Sequence, residues 1–231
     1  MKMLGIVGGT GPESTIEYYR ALIAKYRERV TDGTYPRMLI SSVDVKSVLG
    51  LVATNELPRL TELLAEEVNR LARGGAEVAL FAANTPHIVF NEVRRISPIP
   101  LISIIEETRD VAKQRGIRTA GLLGTRFTMT GSFYRDVFEP AGIALVVPNE
   151  EEQRFVHDSY MNELIGGNVV AETKAELLRI IARMRERSGI EAIILGGTEL
   201  SLILREDDYD GVIVLDTTRI HVDAAIREML A

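Results

Sequence analysis

The 231-residue chain contains no cysteine and no tryptophan, and its only histidines are His87, His157 and His221. Without sulfur there is no thiol nucleophile, no disulfide redox chemistry and no thiolate metal site in the chain as it stands. Long apolar runs are missing too. Segments such as Ile193–Leu195 and Val212–Leu215 fall far short of the about 20 residues a membrane helix needs. No dense Lys/Arg stripe is present, and 27 basic against 33 acidic residues leave a net charge of −6. Nucleic acid and membrane are therefore not expected partners. Met3–Val7 runs straight into a glycine turn with no signal-like segment before it, so the cytoplasm is the expected compartment. The acidic run Glu206-Asp207-Asp208-Tyr209-Asp210 lacks the spaced ligands and turn glycine of a calcium loop, and no metal is expected there.

What is present is an ordinary globular balance, with 46% hydrophobic and 26% charged residues. Short apolar runs alternate with amphipathic stretches. Strands are predicted at Met3–Val7, Leu39–Val43, Val78–Ala82, Leu101–Ser103, Thr119–Leu123, Ala144–Val147, Ala192–Leu195 and Val212–Leu215. Helices are predicted at Glu13–Arg29, Leu57–Arg73, His87–Arg95, Ile104–Arg115, Thr130–Glu139, Glu150–Ile165, Thr173–Arg187, Glu199–Leu204 and Thr217–Leu230. Strands separated by helices indicate βαβ units and a mostly parallel sheet, an α/β fold.

An internal repeat runs through this pattern. Gly5-Ile6-Val7-Gly8 leading to Ser14 and Tyr18 is matched, at a constant offset of 116, by Gly121-Leu122-Leu123-Gly124 leading to Thr130 and Tyr134. Gly75-Ala76-Glu77 leading to Ala83-Asn84-Thr85 is matched, at an offset of 114, by Gly189-Ile190-Glu191 leading to Gly197-Thr198-Glu199. Two similar α/β halves follow. If they pack about a pseudo-twofold axis, each repeated loop meets its counterpart across a cleft, the usual home of small ligands.

The loops after the strands carry the candidate chemistry. Gly8-Gly9-Thr10-Gly11-Pro12-Glu13-Ser14-Thr15 opens the first helix, where glycines admit close backbone approach and free N–H groups favour an anion. The glycine spacing is not a dinucleotide fingerprint and no P-loop lysine follows, so a carboxylate suits it better than a pyrophosphate. A tight capped turn would use the same residues. Thr125 and Thr130 offer hydroxyls in the matching loop. Asn84 and Thr85 fall at the carboxyl end of a predicted parallel strand, where open α/β sheets bind ligands, and Thr198 is their counterpart. His87, opening an amphipathic helix, reads first as a packing residue.

Four segments in order resemble the aspartate/glutamate racemase family over nearly the whole chain: Gly8–Thr15, Ala82–His87, Leu123–Thr125 with Met129-Thr130, and Leu195–Leu200. The resemblance implies two similar doubly wound parallel-sheet lobes with the active site between them. It implies a first lobe of residues 1–98 with 208–231, closed by the returning C-terminal segment, and a second of 99–207. It also implies a small amino-acid or dicarboxylate substrate, no cofactor and a homodimer. In that family two opposed thiols exchange a proton with Cα on either face. The two cysteine positions map onto Ala83 and Gly197. Neither side chain can take a proton from carbon, which needs a base at about 2.6–3.2 Å. Gly9, Thr10, Ser14, Asn84, Thr85, Thr125, Thr130 and Thr198 would bind the substrate. Met161–Asn168 holds no Lys or Arg, which leaves Lys46 for a second carboxylate.

Three readings stay open on sequence. The cysteines have been substituted in a racemase; other groups serve as acid and base, Glu199 first, with Asp44 and His87 behind it; or the protein binds a small acid without turnover, or runs related lyase or isomerase chemistry.

Overall fold

Aliphatic, β-branched runs flanked by glycines give strands buried on both faces, as parallel sheets require. The computed structural model describes residues 1–206 and 208–231. The chain divides into two units, Met1–Ile104 with His221–Ala231, and Ile105–Ile220.

In the first unit the elements are β1 (Leu4–Gly8), α1 (Pro12–Arg29), β2 (Met38–Ser42), α2 (Val45–Ala53), α3 (Leu57–Arg73), β3 (Val78–Phe81), α4 (Phe90–Ile96) and β4 (Leu101–Ile102). The four strands are parallel in the order β2-β1-β3-β4. β1 and β3 are wholly buried, while edge strand β2 is half-exposed. Leu60, Leu64, Val68 and Leu71 form the buried stripe of α3, and Leu71 packs so closely on β1 that a Cβ on Gly5 would lie 3.1 Å from it. Leu22 of α1 shares a core with Leu4, Ile6, Leu80, Val222, Ile226 and Met229. α2 was not foreseen. Asp44 starts it by accepting the Lys46 N–H at 3.1 Å.

In the second unit follow α5 (Ile104–Gln114), β5 (Thr119–Leu123), α6 (Arg126–Thr130), α7 (Arg135–Phe138), β6 (Ala144–Val146), α8 (Glu150–Asn162), α9 (Ala171–Ser188), β7 (Ala192–Leu195), α10 (Leu200–Ile203), β8 (Asp208–Tyr209), β9 (Val212–Asp216) and α11 (Thr217–Leu230). The sheet order is β6-β5-β7-β9-β8, all parallel except the short β8. This places β9 in the second unit, against the expectation that residues from 208 onward belong to the first. The reason is its continuous parallel register with β7, Ala192↔Ile213 through Leu195↔Asp216. The return to the first unit comes only at His221, inside α11. The helix expected over Thr130–Glu139 is reduced to α7, and α6 ends at Thr130 where it was expected to begin. Gly131 is extended and leaves no room for a Cβ, which would sit 2.7 Å from the Phe127 carbonyl. Of the acidic run after Arg205, Asp207 lies outside the described residues. Among the described residues no helix is long and apolar enough to cross a membrane.

Two histidines are locked inside the first unit. The Tyr18 hydroxyl donates to His221 Nδ1 at 2.8 Å, and His221 Nε2–H donates to the Ile102 carbonyl at 3.0 Å. His87 Nδ1–H donates to the Ala83 carbonyl at 3.1 Å, and its Nε2 accepts the Ile104 N–H at 3.1 Å. A carbonyl only accepts, so each tautomer is fixed and each ring is neutral. Burial pushes His87 down to about 3 and His221 down to about 4; for His87 the neighbouring His221 adds to the effect. Both folded values lie below the unfolded value of about 6.5, so the unfolded chain takes up protons first as pH falls. Stability is complete above about pH 6.5 and declines below it by up to about 1.4 kcal/mol per pH unit for each ring. Urea unfolding at pH 7.0, 6.0, 5.5 and 5.0 will show this decline before the carboxylates titrate. A flat profile there would contradict the locked tautomers.

Candidate functional site

The chemistry-bearing residues gather at the carboxyl ends of parallel strands in each unit. After β1, Gly9 has φ +82°, and a Cβ there would sit 2.1 Å from the Val43 carbonyl, so only glycine fits. Its N–H donates to Thr15 Oγ1 at 2.8 Å. Among the described residues no side chain caps the N-terminus of α1, which begins Gly11-Pro12. Among the described residues, the Thr10 hydroxyl oxygen is buried with no hydrogen-bond partner. Ser14 donates to the Ala82 carbonyl at 2.7 Å, tying α1 to the end of β3. Ala83 and Asn84 follow, both buried, and Thr85 opens a 3-10 turn, half-buried. Gly9, Ser14 and the Ala82–Asn84 segment thus share one edge of the sheet.

Lys46 is exposed in the first turn of α2. Asp44 is spent as the cap of that helix, its carboxyl held below the usual range by the Lys46 N–H and the Ser47 hydroxyl. His87 has both nitrogens engaged and serves to hold the Ala83 carbonyl. Neither presents a free base.

In the second unit the two central strand ends touch through backbone. Gly196 N–H donates to the Leu123 carbonyl at 2.7 Å, and a Cβ on Gly124 would lie 2.8 Å from the Gly196 carbonyl. Thr125 caps α6, its buried Oγ1 3.4 Å from the Thr128 N–H and 3.2 Å from the Thr128 hydroxyl. Thr130 is exposed at the far end of α6 and donates to the Arg126 carbonyl at 2.9 Å, apart from the strand-end cluster. The expected match of Ser14 with Thr130 therefore breaks in three dimensions. The threonine packed on Gly8 is Thr15, while the one packed on Gly124 is Thr128, only four residues on, because the first loop is longer.

The decisive arrangement is after β7. Gly197 has nothing beyond its backbone, and a Cβ added to it would lie 2.4 Å from Tyr160 Cε2 and 3.2 Å from Tyr160 Oη. The Tyr160 hydroxyl donates to Glu199 Oε2. The Thr198 hydroxyl donates to the same oxygen at 2.8 Å. Glu199 is only 2% exposed, at the start of α10. Burial, and then the negative Glu199 beside it, push the Tyr160 phenol well above its ordinary range. Sequence reasoning reached Glu199 and missed Tyr160. The available signal was Gly197 itself, since a missing side chain in a packed interior is filled by a neighbour. His157 lies three residues before Tyr160 on α8. It accepts the Arg126 N–H at 3.2 Å, and burial holds its pKa below the ordinary value. A surface cavity along α9 and β8, lined by Leu178, Ile181, Arg185 and Tyr209, includes none of these strand-end residues.

Residues 7–225 match the Asp/Glu/Hydantoin racemase family. The chain belongs to that family. It is 33% identical, over the full length of both chains, to a putative Asp/Glu racemase from Yersinia pestis, with a TM-score of 0.90. It is 39% identical to an aspartate racemase homologue from Pyrococcus horikoshii OT3, again over both full lengths, with a TM-score of 0.86. The broad specificity amino-acid racemase RacX of Bacillus subtilis (strain 168) is 23% identical over 209 residues, 87% of each chain. Two parallel α/β lobes are the architecture of this racemase family, and this member has no cysteine.

The packing on Gly197 predicts a strong coupling. Gly197→Ala will destabilise the second unit by roughly 1–3 kcal/mol, because the rigid Tyr160 ring must move. In a Tyr160→Leu background the same change will cost much less. A double-mutant cycle by urea unfolding measures the difference, and additive costs would rule out the ring as the cause.

Proposed function

We propose that this racemase-family protein binds a small acidic amino acid or related dicarboxylate and does not carry out two-thiol racemisation. One observation carries the reading. The chain has no thiol, and beside Gly197 a tyrosine ring fills the space where a side chain would begin. Ala83 and Gly197 are the positions matched by resemblance to the family's acid/base pair, and neither methyl nor hydrogen transfers a proton.

The binding function is read from the strand-end loops. The uncapped α1 N-terminus and the unpartnered Thr10 hydroxyl favour a carboxylate in the first unit, with Gly9, Asn84 and Thr85. Ser14 keeps acceptor capacity after donating to Ala82. Lys46 is assigned the second carboxylate. Thr125, Thr198 and Thr130 of the second unit are candidates by the family resemblance alone; Thr198 already donates to Glu199 and Thr130 to the Arg126 carbonyl. The working species is a homodimer, as the family resemblance implies.

Thr10→Val tests the reading. The exchange removes a buried, unpaired hydroxyl at constant shape, so stability will hold or rise. Affinity for L-aspartate or L-glutamate, measured by calorimetric titration, will fall about ten- to hundredfold, the worth of a hydrogen bond to a charged group. Unchanged affinity would remove Thr10 from the site, and no binding by the parent protein would overturn the function. In the same protein no D-isomer will accumulate from either substrate. Ala83→Cys/Gly197→Cys will not create racemisation while Tyr160 is intact, as chiral chromatography will check.

A further inference from the structure

Helix α1 of the first unit carries apolar side chains on its outer side as well as its inner one. Tyr18, Leu22 and Tyr26 turn inward and are buried. Outside, Ile16 is 43% and Tyr19 46% exposed, and Ile23 is half-buried. Steps of three and then four residues place these three in one stripe, the spacing of a helix–helix seam. The loop after α1 lengthens the stripe with exposed Tyr35. Arg27 holds that ring, its guanidinium carbon 5.8 Å from the ring centroid, and the Tyr26 and Thr34 hydroxyls pin the loop at 3.0 Å. Three of the eight large hydrophobics exposed among the described residues thus gather on one helix and its loop. Apolar side chains scattered singly are ordinary on a surface, whereas a contiguous stripe rimmed by charge marks an interface.

The charges beside the stripe select the partner. Glu13 is exposed in the first turn of α1, Arg20 is exposed near its middle and Arg27 in its last turn. Among the described residues Glu13 and Arg20 form no ion pair, whereas Lys25 on the flank is paired with Glu28 and Asp223. An antiparallel copy of the same helix reverses this order of charge. With a twofold axis beside Tyr19 and Arg20, Ile16 meets the partner's Ile23, the Tyr19 ring meets the partner's Arg20, and Glu13 comes to the partner's Arg27. The helix dipoles oppose one another as well. A parallel copy would set Glu13 against Glu13 and Arg20 against Arg20, and a partner of one charge sign would suit only one end. We infer that the outer face of α1 docks antiparallel on the same face of a second copy of this chain. The inference rests on the homodimer of the proposed function and assigns the face that forms it. Each contact then occurs twice across the axis, so one substitution acts on the interface at two places.

The test is sedimentation velocity on the full chain over a dilution series, with far-UV circular dichroism as the check on folding. The parent chain will be a dimer. Ile16→Glu/Tyr19→Glu puts four carboxylates into the seam and will raise the dimer dissociation constant at least about a hundredfold, the scale of a lost hot spot, with helix content unchanged. Glu13→Arg alone, or Arg27→Glu alone, will weaken the dimer about three- to tenfold, as rim charges do. Combined in one chain they will restore most of the loss, because each reversed charge again meets its opposite. The chain has no cysteine, so Arg20→Cys supplies a single thiol beside the axis. A short bismaleimide will join two chains through it and will not join Lys113→Cys, exposed on the second unit. A dimer unaffected by Ile16→Glu/Tyr19→Glu, or one that Arg20→Cys does not link, overturns this face and leaves the homodimer standing. Failure of the double charge reversal to recover the loss overturns the antiparallel pairing. A monomeric parent overturns the homodimer and this face together, while amino-acid binding is read separately by calorimetry.

Discussion

Nothing larger than hydrogen fits beside Gly197, because the Tyr160 ring already occupies that volume. The arrangement around β7 depends on this exclusion. It lets α8 lay an aromatic ring against the end of a buried strand, and the ring's hydroxyl then meets Glu199. A carboxylate with 2% exposure is costly unless hydrogen-bonded, and here one oxygen accepts from both Tyr160 and Thr198. Glycine, tyrosine and glutamate therefore form one interlocked unit. Changing one alters the packing or the charge balance of the others.

Hydroxyls at the strand ends divide by what they already do. Ser14 ties α1 to β3, Thr15 supports the Gly9 turn, Thr125 caps α6 and Thr130 donates back to its own helix. Thr10 is different, with a buried oxygen and no partner among the described residues. A satisfied hydroxyl stabilises the loop that displays the site. An unsatisfied buried one costs stability. This division sorts the hydroxyls more sharply than residue type can.

Much of the architecture was legible along the chain. Strands with wholly apolar faces, such as Thr119–Leu123 and Ala192–Leu195, and the strongly periodic Leu57–Arg73 helix need little beyond local pattern to be recognised. Errors came where tertiary pairing overrode that pattern. Val212–Asp216 reads as a generic buried strand, and only its register with β7 assigns it to the second unit. The helix expected from Thr130 fails at Gly131, whose neighbours leave no space for a continuing turn with a side chain. α2 escaped notice because its nine residues are too short for a clear period, although Asp44 signals its start.

By itself the sequence determined the α/β class, the family, the strand-end loops and the loss of thiol chemistry, because these follow from periodicity, motif order and composition. Only the tertiary structure decided what packs beside Gly197. Tyr160 and Glu199 lie 39 residues apart, and no local pattern predicts that a ring from α8 fills the space beside a glycine after β7. Hydrogen-bond partnership likewise belongs to the folded state. Thr10 and Thr130 are the same letter, and they differ because folding gives Thr130 a carbonyl and leaves Thr10 without a partner among the described residues.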